Sequence, residues 1–367
     1  MLSSNYSSHF TFYSYELLKS KNEKKKNFND NLTLLISTSG STGTSKLVRL
    51  SYDNLNSNIQ SIIQFLPIRE DDITITTLPM SYVYGLSIIN THLYKGACIT
   101  LNNRSLVNKF FWQAMQKHKV TSFGGVPYTY TMLDKIGLEN FSLNHLRYTT
   151  QAGGRLNEKI LNKTIQTYKK QDIKLILMYG AAEATARMSY LPWSDVEKKL
   201  GSIGKPIPQG EFYIRDEENH KINESDKEGE LVYKGKNVCM GYAQNIDDLN
   251  LGDENKGILN TGDIAFRDKD GFYFLLGRKD RFIKIYGMRI NLQEIEDLVL
   301  NRGAESMCLQ NEENRITILV KNYDKLDDLK EYISKLTNIH PSVFTIKKIK
   351  DFPLTNNYKL SYYSRYF

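Results

Sequence analysis

The chain of 367 residues holds 49 Lys+Arg against 41 Asp+Glu, a net charge of +8, with 40% hydrophobic and 25% charged residues. That is ordinary globular composition, with room for two or three domains at ~150 residues each. No apolar run reaches the ~20 residues of a membrane span, the Ser/Tyr-rich and then Lys-rich start lacks the apolar core of a secretory signal, and the isolated Cys98, Cys239 and Cys308 exclude a disulfide framework or thiolate zinc site.

A reducing, cytoplasmic setting fits this cysteine usage. Short lysine runs at 19–26 and 347–350 come without RNP-like aromatics or a zinc finger, so no nucleic-acid partner is expected. The positive balance favours polyanions: nucleotides, CoA or an acidic protein.

Residues 1–30 read as a peripheral or disordered segment. From Leu32 the chain alternates strands and helices. The apolar run Leu32–Ile36 is a strand, and Asp53–Leu66 a helix with Leu55, Ile59, Ile62 and Ile63 on one face. A helix over Leu106–His118, a strand over Val120–Phe123, a helix opened by Pro127 and a strand over Leu146–Thr150 come next. A helix over Asn157–Tyr168 and a continuously apolar strand over Ile173–Met178 complete an α/β unit with a largely parallel sheet. After Pro192 the character shifts, and short strands separated by polar turns run from Gly201 to Leu276. The tail is α+β: a helix with Ile295, Leu298 and Val299, a strand with Ile316, Ile318 and Val320, a helix with Leu326, Leu329, Ile333 and Leu336, and alternation over Val343–Ile349. The expected division is a large α/β domain over 31–279 and a small α+β domain over 280–367.

The segment Thr38-Ser39-Gly40-Ser41-Thr42-Gly43-Thr44-Ser45-Lys46 carries the first chemical signal. Two glycines allow a tight turn that points N–H groups at one spot, and hydroxyls and a lysine add donors, which suits a polyphosphate. It is not a Walker A loop, because Ser45 precedes Lys46 and Leu47 follows it.

This nonapeptide resembles the TSGSTGxPK loop of the adenylate-forming superfamily of acyl-CoA synthetases, peptide-synthetase adenylation domains and luciferases. Further matches follow in the family's order. Leu78-Pro79-Met80-Ser81-Tyr82-Val83-Tyr84-Gly85 resembles LPLFHxxG, Gly125-Val126-Pro127 the GVP turn, and Ala152-Gly153-Gly154-Arg155-Leu156 the SGGAPL motif. Tyr179-Gly180-Ala181-Ala182-Glu183 resembles YGxTE, and Gly201 to Pro206 GSVGKP. Gly229-Glu230-Leu231 with Gly241-Tyr242, then Thr261-Gly262-Asp263, are similar to GEL…GY and TGD. Gly277 to Lys284 with Gly287 and Arg289 resembles the hinge motif GRxDxxIKxxGxRI, and Pro353 to Lys359 the terminal PxTxxGK.

The resemblance implies a large α/β adenylating domain and a mobile C-terminal lid. It implies activation of a carboxylic acid by ATP and Mg²⁺ to an acyl-adenylate, then transfer to a pantetheine thiol of CoA or of an acidic acyl carrier protein: an AMP-forming acid–thiol ligase. Thr38, Ser39, Gly40, Ser41, Thr42, Gly43, Lys46, Gly153, Gly154, Tyr179, Gly180, Asp263 and Arg278 would hold the nucleotide, with Tyr179 on adenine and Asp263 on the ribose. Glu183 would bind Mg²⁺, Lys359 would bridge the acid carboxylate and α-phosphate, and Thr42 would assist. Asp280 would be the hinge and Gly287 would leave room for the pantetheine arm. Tyr82, Tyr84, Gly125 and Val126, with Phe123 nearby, would line a pocket for a small or aromatic acid.

The chain departs from the pattern at Tyr82 (usually histidine), Ala182 (usually threonine) and Tyr358 (usually glycine). The phosphate loop comes early, at Thr38, so the large domain is expected to be truncated at the front and its sheet smaller, covered by a completing subunit, or completed by a homo-oligomer. The competing expectation is a degenerate member that binds a nucleotide or partner without turnover.

Overall fold

The computed structural model describes residues 6–12, 15–20, 28–37, 46–141, 143–286, 288–312 and 314–352. Within the segment read as peripheral or disordered, β1 (Tyr6–Phe12) and β2 (Tyr15–Ser20) pair antiparallel as a two-stranded sheet of their own. β3 (Leu32–Ser37) and β4 (Leu47–Ser51) form a second antiparallel pair. Ser51 then caps helix α1 (Tyr52–Phe65) in a reciprocal capping box with Asn54, at 2.9 and 3.1 Å.

The α/β rhythm follows the sequence: β5 (Ile73–Ile75), α2 (Val83–Tyr94), β6 (Cys98–Thr100), α3 (Lys109–Lys117), β7 (Ser122–Gly125), α4 (Pro127–Ile136), β8 (Tyr148–Gln151), α5 (Glu158–Lys170) and β9 (Lys174–Tyr179). The strand expected from Val120 starts two residues later, because Lys119 takes a left-handed φ of 50° and Val120 still bonds back to Met115. β6, β5, β7, β8 and β9 are parallel neighbours in that order. Helices cover both faces, which is why β9 is apolar on every residue of its middle. Leu175 and Leu177 pack with Phe111, Tyr130, Leu133, Ile165 and Tyr168 of α3–α5, whereas Ile176 and Met178 pack with Ile62, Tyr84 and Ile88 of α1 and α2.

The sheet continues antiparallel through β10 (Ser189–Leu191), β11 (Ser202–Pro206), β12 (Glu211–Arg215), β13 (Lys221–Ile222) and β14 (Gly229–Lys234). β15 (Gly241–Ala243) leaves it to pair with β4, and β16 (Ile258–Arg267) and β17 (Tyr273–Arg278) rejoin it. Among the described residues this makes a sheet of twelve strands, ending at the short β6. Leu93, Tyr94, Leu101, Val107 and Phe110 are exposed around that edge.

A 3₁₀ turn over Lys279–Arg281 leads into the hairpin of β18 (Phe282–Ile285) and β19 (Met288–Asn291), then α6 (Leu292–Asn301), β20 (Glu305–Glu312), β21 (Arg315–Lys321), α7 (Leu326–Thr337) and β22 (Phe344–Ile349). These residues share a core of Ile285, Leu292, Ile295, Val299, Ile316, Ile318, Val320, Leu329 and Ile333. Leu336 departs from the expected inner face of α7 and is 54% exposed, one turn beyond Ile333 where the helix ends at the left-handed Asn338.

Candidate active site

In an open parallel sheet, ligands gather where the strands end at their carboxyl edge. Seven of the sequence-expected residues come from that edge here: Gly125 ending β7 and Val126 after it, Gly153 and Gly154 after β8, and Tyr179 ending β9 with Gly180 and Glu183 after it. β15, β16 and β17 bring Tyr242, Asp263 and Arg278 to the same region.

Tyr179 and Asp263 meet directly, the phenol donating to Asp263 Oδ2. Asp263 is cross-strand partner to Arg278, whose Nη1 lies 3.5 Å from Oδ1 and donates to Thr261 O at 2.9 Å. The Asp263 N–H donates to Thr261 Oγ1 at 3.1 Å, and that hydroxyl donates to Leu231 O at 2.7 Å. The TGD segment is therefore a bracket that aims one buried carboxylate. Burial pushes the Asp263 carboxyl above its usual range, against the tyrosine hydrogen bond and the Arg278 charge. Burial and the neighbouring Asp263 likewise hold the Tyr179 phenol far above its ordinary value, so it stays a donor. The tyrosine expected to stack on adenine is thus already committed through its hydroxyl.

Glu183 sits on a 3₁₀ turn over Ala182–Ala184, where Tyr242 donates to its Oε1 at 2.8 Å. Lys46 Nζ stands 5.6 Å from the centre of the Tyr242 ring. Burial, reinforced by the Glu183 charge, keeps the Tyr242 phenol protonated. The turn is drawn so close to β9 that a Cβ on Gly180 would lie 1.6 Å from Ala186 O. Only glycine fits there. Glu183 can take part in holding Mg²⁺: among the described residues no group of three His, Cys, Asp or Glu forms a cage, and Mg²⁺ is commonly held by one or two carboxylates plus phosphates and water.

The expected acid pocket divides. Tyr82 lies over the β8 end, and a Cβ on Gly153, which adopts φ +85°, would sit 2.7 Å from its hydroxyl. Tyr82 meets Tyr84 edge-on, at 6.2 Å between ring centres. Tyr84 is 3% exposed and bonds Thr150 Oγ1 at 2.7 Å, and burial pushes its phenol up to about 12. Val126 is half-buried where α4 begins, and Gly125 is buried. Phe123 departs from the expectation: it belongs to the core on the α3–α5 face of the sheet, opposite Tyr84, because successive strand residues point to opposite faces.

Sequence reasoning passed over Arg187, Asn237 and any role for Tyr242. Asn237 ties the Glu183 turn to the next loop, donating to Ala184 O at 2.8 Å and accepting from Tyr233. Tyr242 stood in a recognisable motif and Arg187 next to one; nothing in the sequence marked Asn237. Asp280 is 65% exposed on the 3₁₀ turn between the domains, 3.7 Å from Arg278 Nε. The expectations for Thr38, Ser39, Gly40, Ser41, Thr42, Gly43, Gly287, Tyr358 and Lys359 lie outside the described residues.

A family model described as AMP-binding enzyme matches residues 5–243. The chain belongs to the AMP-binding enzyme family. This AMP-binding enzyme is 31% identical over 271 residues to a 2-succinylbenzoate–CoA ligase of Bacillus cereus, covering 74% of the chain and 54% of that relative. It is 31% identical over 279 residues to an oxalate–CoA ligase of Arabidopsis thaliana, covering 75% and 53%. The chain spans about half the length of these curated relatives. In fold it is similar to an o-succinylbenzoate CoA synthetase of Bacillus subtilis solved with its acyl-adenylate, at a TM-score of 0.77 and 24% identity, over 89% of this chain and 67% of the other. The same fold recurs in that synthetase solved with ATP and magnesium ion, at a TM-score of 0.76 and 23% identity, over 94% and 72%. No helix among the described residues is long and apolar enough to cross a membrane.

Proposed function

We propose that this AMP-binding enzyme joins a carboxylic acid to ATP, giving an acyl-adenylate and pyrophosphate, and then passes the acyl group to the thiol of CoA, with a carrier-protein pantetheine as the second acceptor to test. The observation that carries the reading is the bracket around Asp263: a buried carboxylate, aimed by Thr261 and Tyr179 and flanked by Arg278, at the carboxyl edge of the parallel strands. A ribose diol donates two hydrogen bonds, and a carboxylate accepts them more strongly than a neutral group does. Glu183, held by Tyr242, would hold Mg²⁺ from the other side of Gly180. That ion supplies charge neutralisation on the phosphates when bound.

The residues of this chain then have separable tasks. Arg278 and Asp263 fix the sugar, Lys46 adds positive charge near Glu183, and Tyr82 over Gly153 closes the acid side against water. Lys359 would supply the second cation for the charge that grows between carboxylate and α-phosphate, a contact worth roughly 10²–10³ in rate in a preorganised site. Asp280 would be the pivot between the domains 31–279 and 280–367, and Gly287 the passage for the thiol.

The test is acid-dependent ATP–pyrophosphate exchange over a panel that includes 2-succinylbenzoate and oxalate. Exchange with at least one acid, lost in Lys359→Ala, is expected. ATP binding by calorimetry with no exchange for any acid would sink the ligase reading and leave a nucleotide-binding protein.

A further inference from the structure

Arg187 lies two residues before β10 and is 1% exposed. Among the described residues its Nε and Nη1 have no hydrogen-bond partner and it forms no ion pair. Its guanidinium stands 5.3 Å from the centre of the Tyr84 ring. It therefore sits between α2 and the parallel sheet, behind the Tyr82–Tyr84 pair and the β8 end. A guanidinium cannot shed its proton in a protein. Leaving it buried and unpaired costs several kcal/mol.

Nothing nearby relieves that cost. Asp72 is committed to Arg147, Thr121 and the Arg69 N–H. His92 Nδ1 faces Ile88 O at 2.7 Å, and its Nε2 faces Ser122 Oγ and Tyr148 Oη, both at 3.2 Å. The hydroxyls of Tyr84 and Thr150 serve each other. Among the described residues the surroundings are hydroxyls, a histidine, apolar side chains and the Asp72 carboxylate already paired with Arg147, so no carboxylate is left for the guanidinium. Nε–H and Nη1–H lie on different edges of the guanidinium, so each offers a separate charged hydrogen bond of the kind a carboxylate oxygen accepts.

We propose that Arg187 is a specificity-determining residue whose guanidinium receives a second carboxylate at the far end of the acid, so that this enzyme acts on dicarboxylic acids. The assignment rests on the acid-activating reading above, which takes Tyr82 over Gly153 as the acid side, with Tyr84 next to it. A monocarboxylate of the same length leaves Arg187 unpaired and is rejected for that reason. A purely structural arginine over Tyr84 makes no such distinction.

The experiment uses the full chain as wild type, Arg187→Met and Arg187→Lys, with three matched pairs of acids: glutarate and pentanoate, phthalate and benzoate, 2-succinylbenzoate and 4-oxo-4-phenylbutanoate. Binding is read by calorimetry and turnover by pyrophosphate exchange. For at least one pair, wild type is expected to favour the diacid by about 10- to 100-fold, the worth of a charged hydrogen bond. Arg187→Met should abolish that ratio while keeping the monoacid, and Arg187→Lys should keep part of it. Without any ligand, Arg187→Met should melt at the same or a higher temperature. Equal losses for both members of every pair, or a lower melting temperature with the ratio unchanged, would overturn the assignment. If no acid supports exchange but a diacid still binds wild type and not Arg187→Met, the ligase reading fails and the assignment of Arg187 to a diacid stands. No diacid binding to wild type overturns it.

Discussion

Two arginines lie at the same depth in this molecule and are treated in opposite ways. Arg49, on β4, is 0% exposed and saturated: it donates to the carbonyls of Tyr242 at 3.1 Å, Leu251 at 2.5 Å, Gly252 at 3.2 Å and Met240 at 3.3 Å, and pairs with Glu254 at 2.5 Å. Arg187, among the described residues, leaves two nitrogens without a partner against a tyrosine ring. The first cation staples β4 to β15 and the loop beyond it, and so places Tyr242 against Glu183. The second holds nothing together. Burial alone therefore does not say what a charge is for; the state of its donors does.

The strongest way to break this contrast is Arg49→Met. It orphans four carbonyls and one carboxylate, and should cost about 3–5 kcal/mol of stability by chemical denaturation. An effect near zero would erase the distinction from Arg187→Met, which should cost nothing.

A smaller effect comes from His92, which feels the Arg187 charge. Burial chiefly, with the Arg187 charge adding to it, lowers the imidazole to about 4, against Ile88 O and Asp72 on the other sides. The unfolded chain binds the proton at about 6.5. Stability should be full above about pH 6.5 and fall toward pH 4, by up to about 3 kcal/mol. His92→Gln should flatten that slope in denaturation midpoints taken across the window; an unchanged slope would place the titration elsewhere.

Asp263→Asn comes next. It keeps the shape of the bracket and removes the charge facing Arg278, and should weaken ATP binding by about 10- to 100-fold in calorimetry. Tyr242→Phe is the mildest change. It releases one hydrogen bond on a carboxylate near the surface, so the Mg²⁺ concentration for half-maximal exchange should shift only a few-fold, near the ~1 kcal/mol of an ordinary hydrogen bond.

The legible part of the molecule was the part with periodicity or punctuation. β9 read as a buried strand because both its faces are covered, and α4 and α5 were announced by Pro127 and Asn157 at their starts. Glu183, Asp263 and Arg278 stand out in the sequence because their motifs keep fixed spacing, and the structure places Asp263 and Arg278 side by side across β16 and β17. Partnership was not legible. Tyr179 read as a ligand platform, yet its hydroxyl serves Asp263, which lies 84 residues away in the chain. Phe123 read as a pocket wall because a four-residue strand does not reveal which of its faces meets which helices. Arg49 and Arg187 are single basic residues in apolar strings, and no local pattern separates a satisfied one from an unsatisfied one.

The Glu183 turn has one more consequence. It is the tip of the β9–β10 hairpin, closed by bonds from Met188 N to Tyr179 O, Ala186 N to Ala181 O and Ala184 N to Ala181 O, with no clearance at Gly180. Such a tip has already lost its conformational freedom when the sheet forms. An arriving cation then finds a carboxylate at rest, and its binding strength need not be spent on bringing a wandering loop to order.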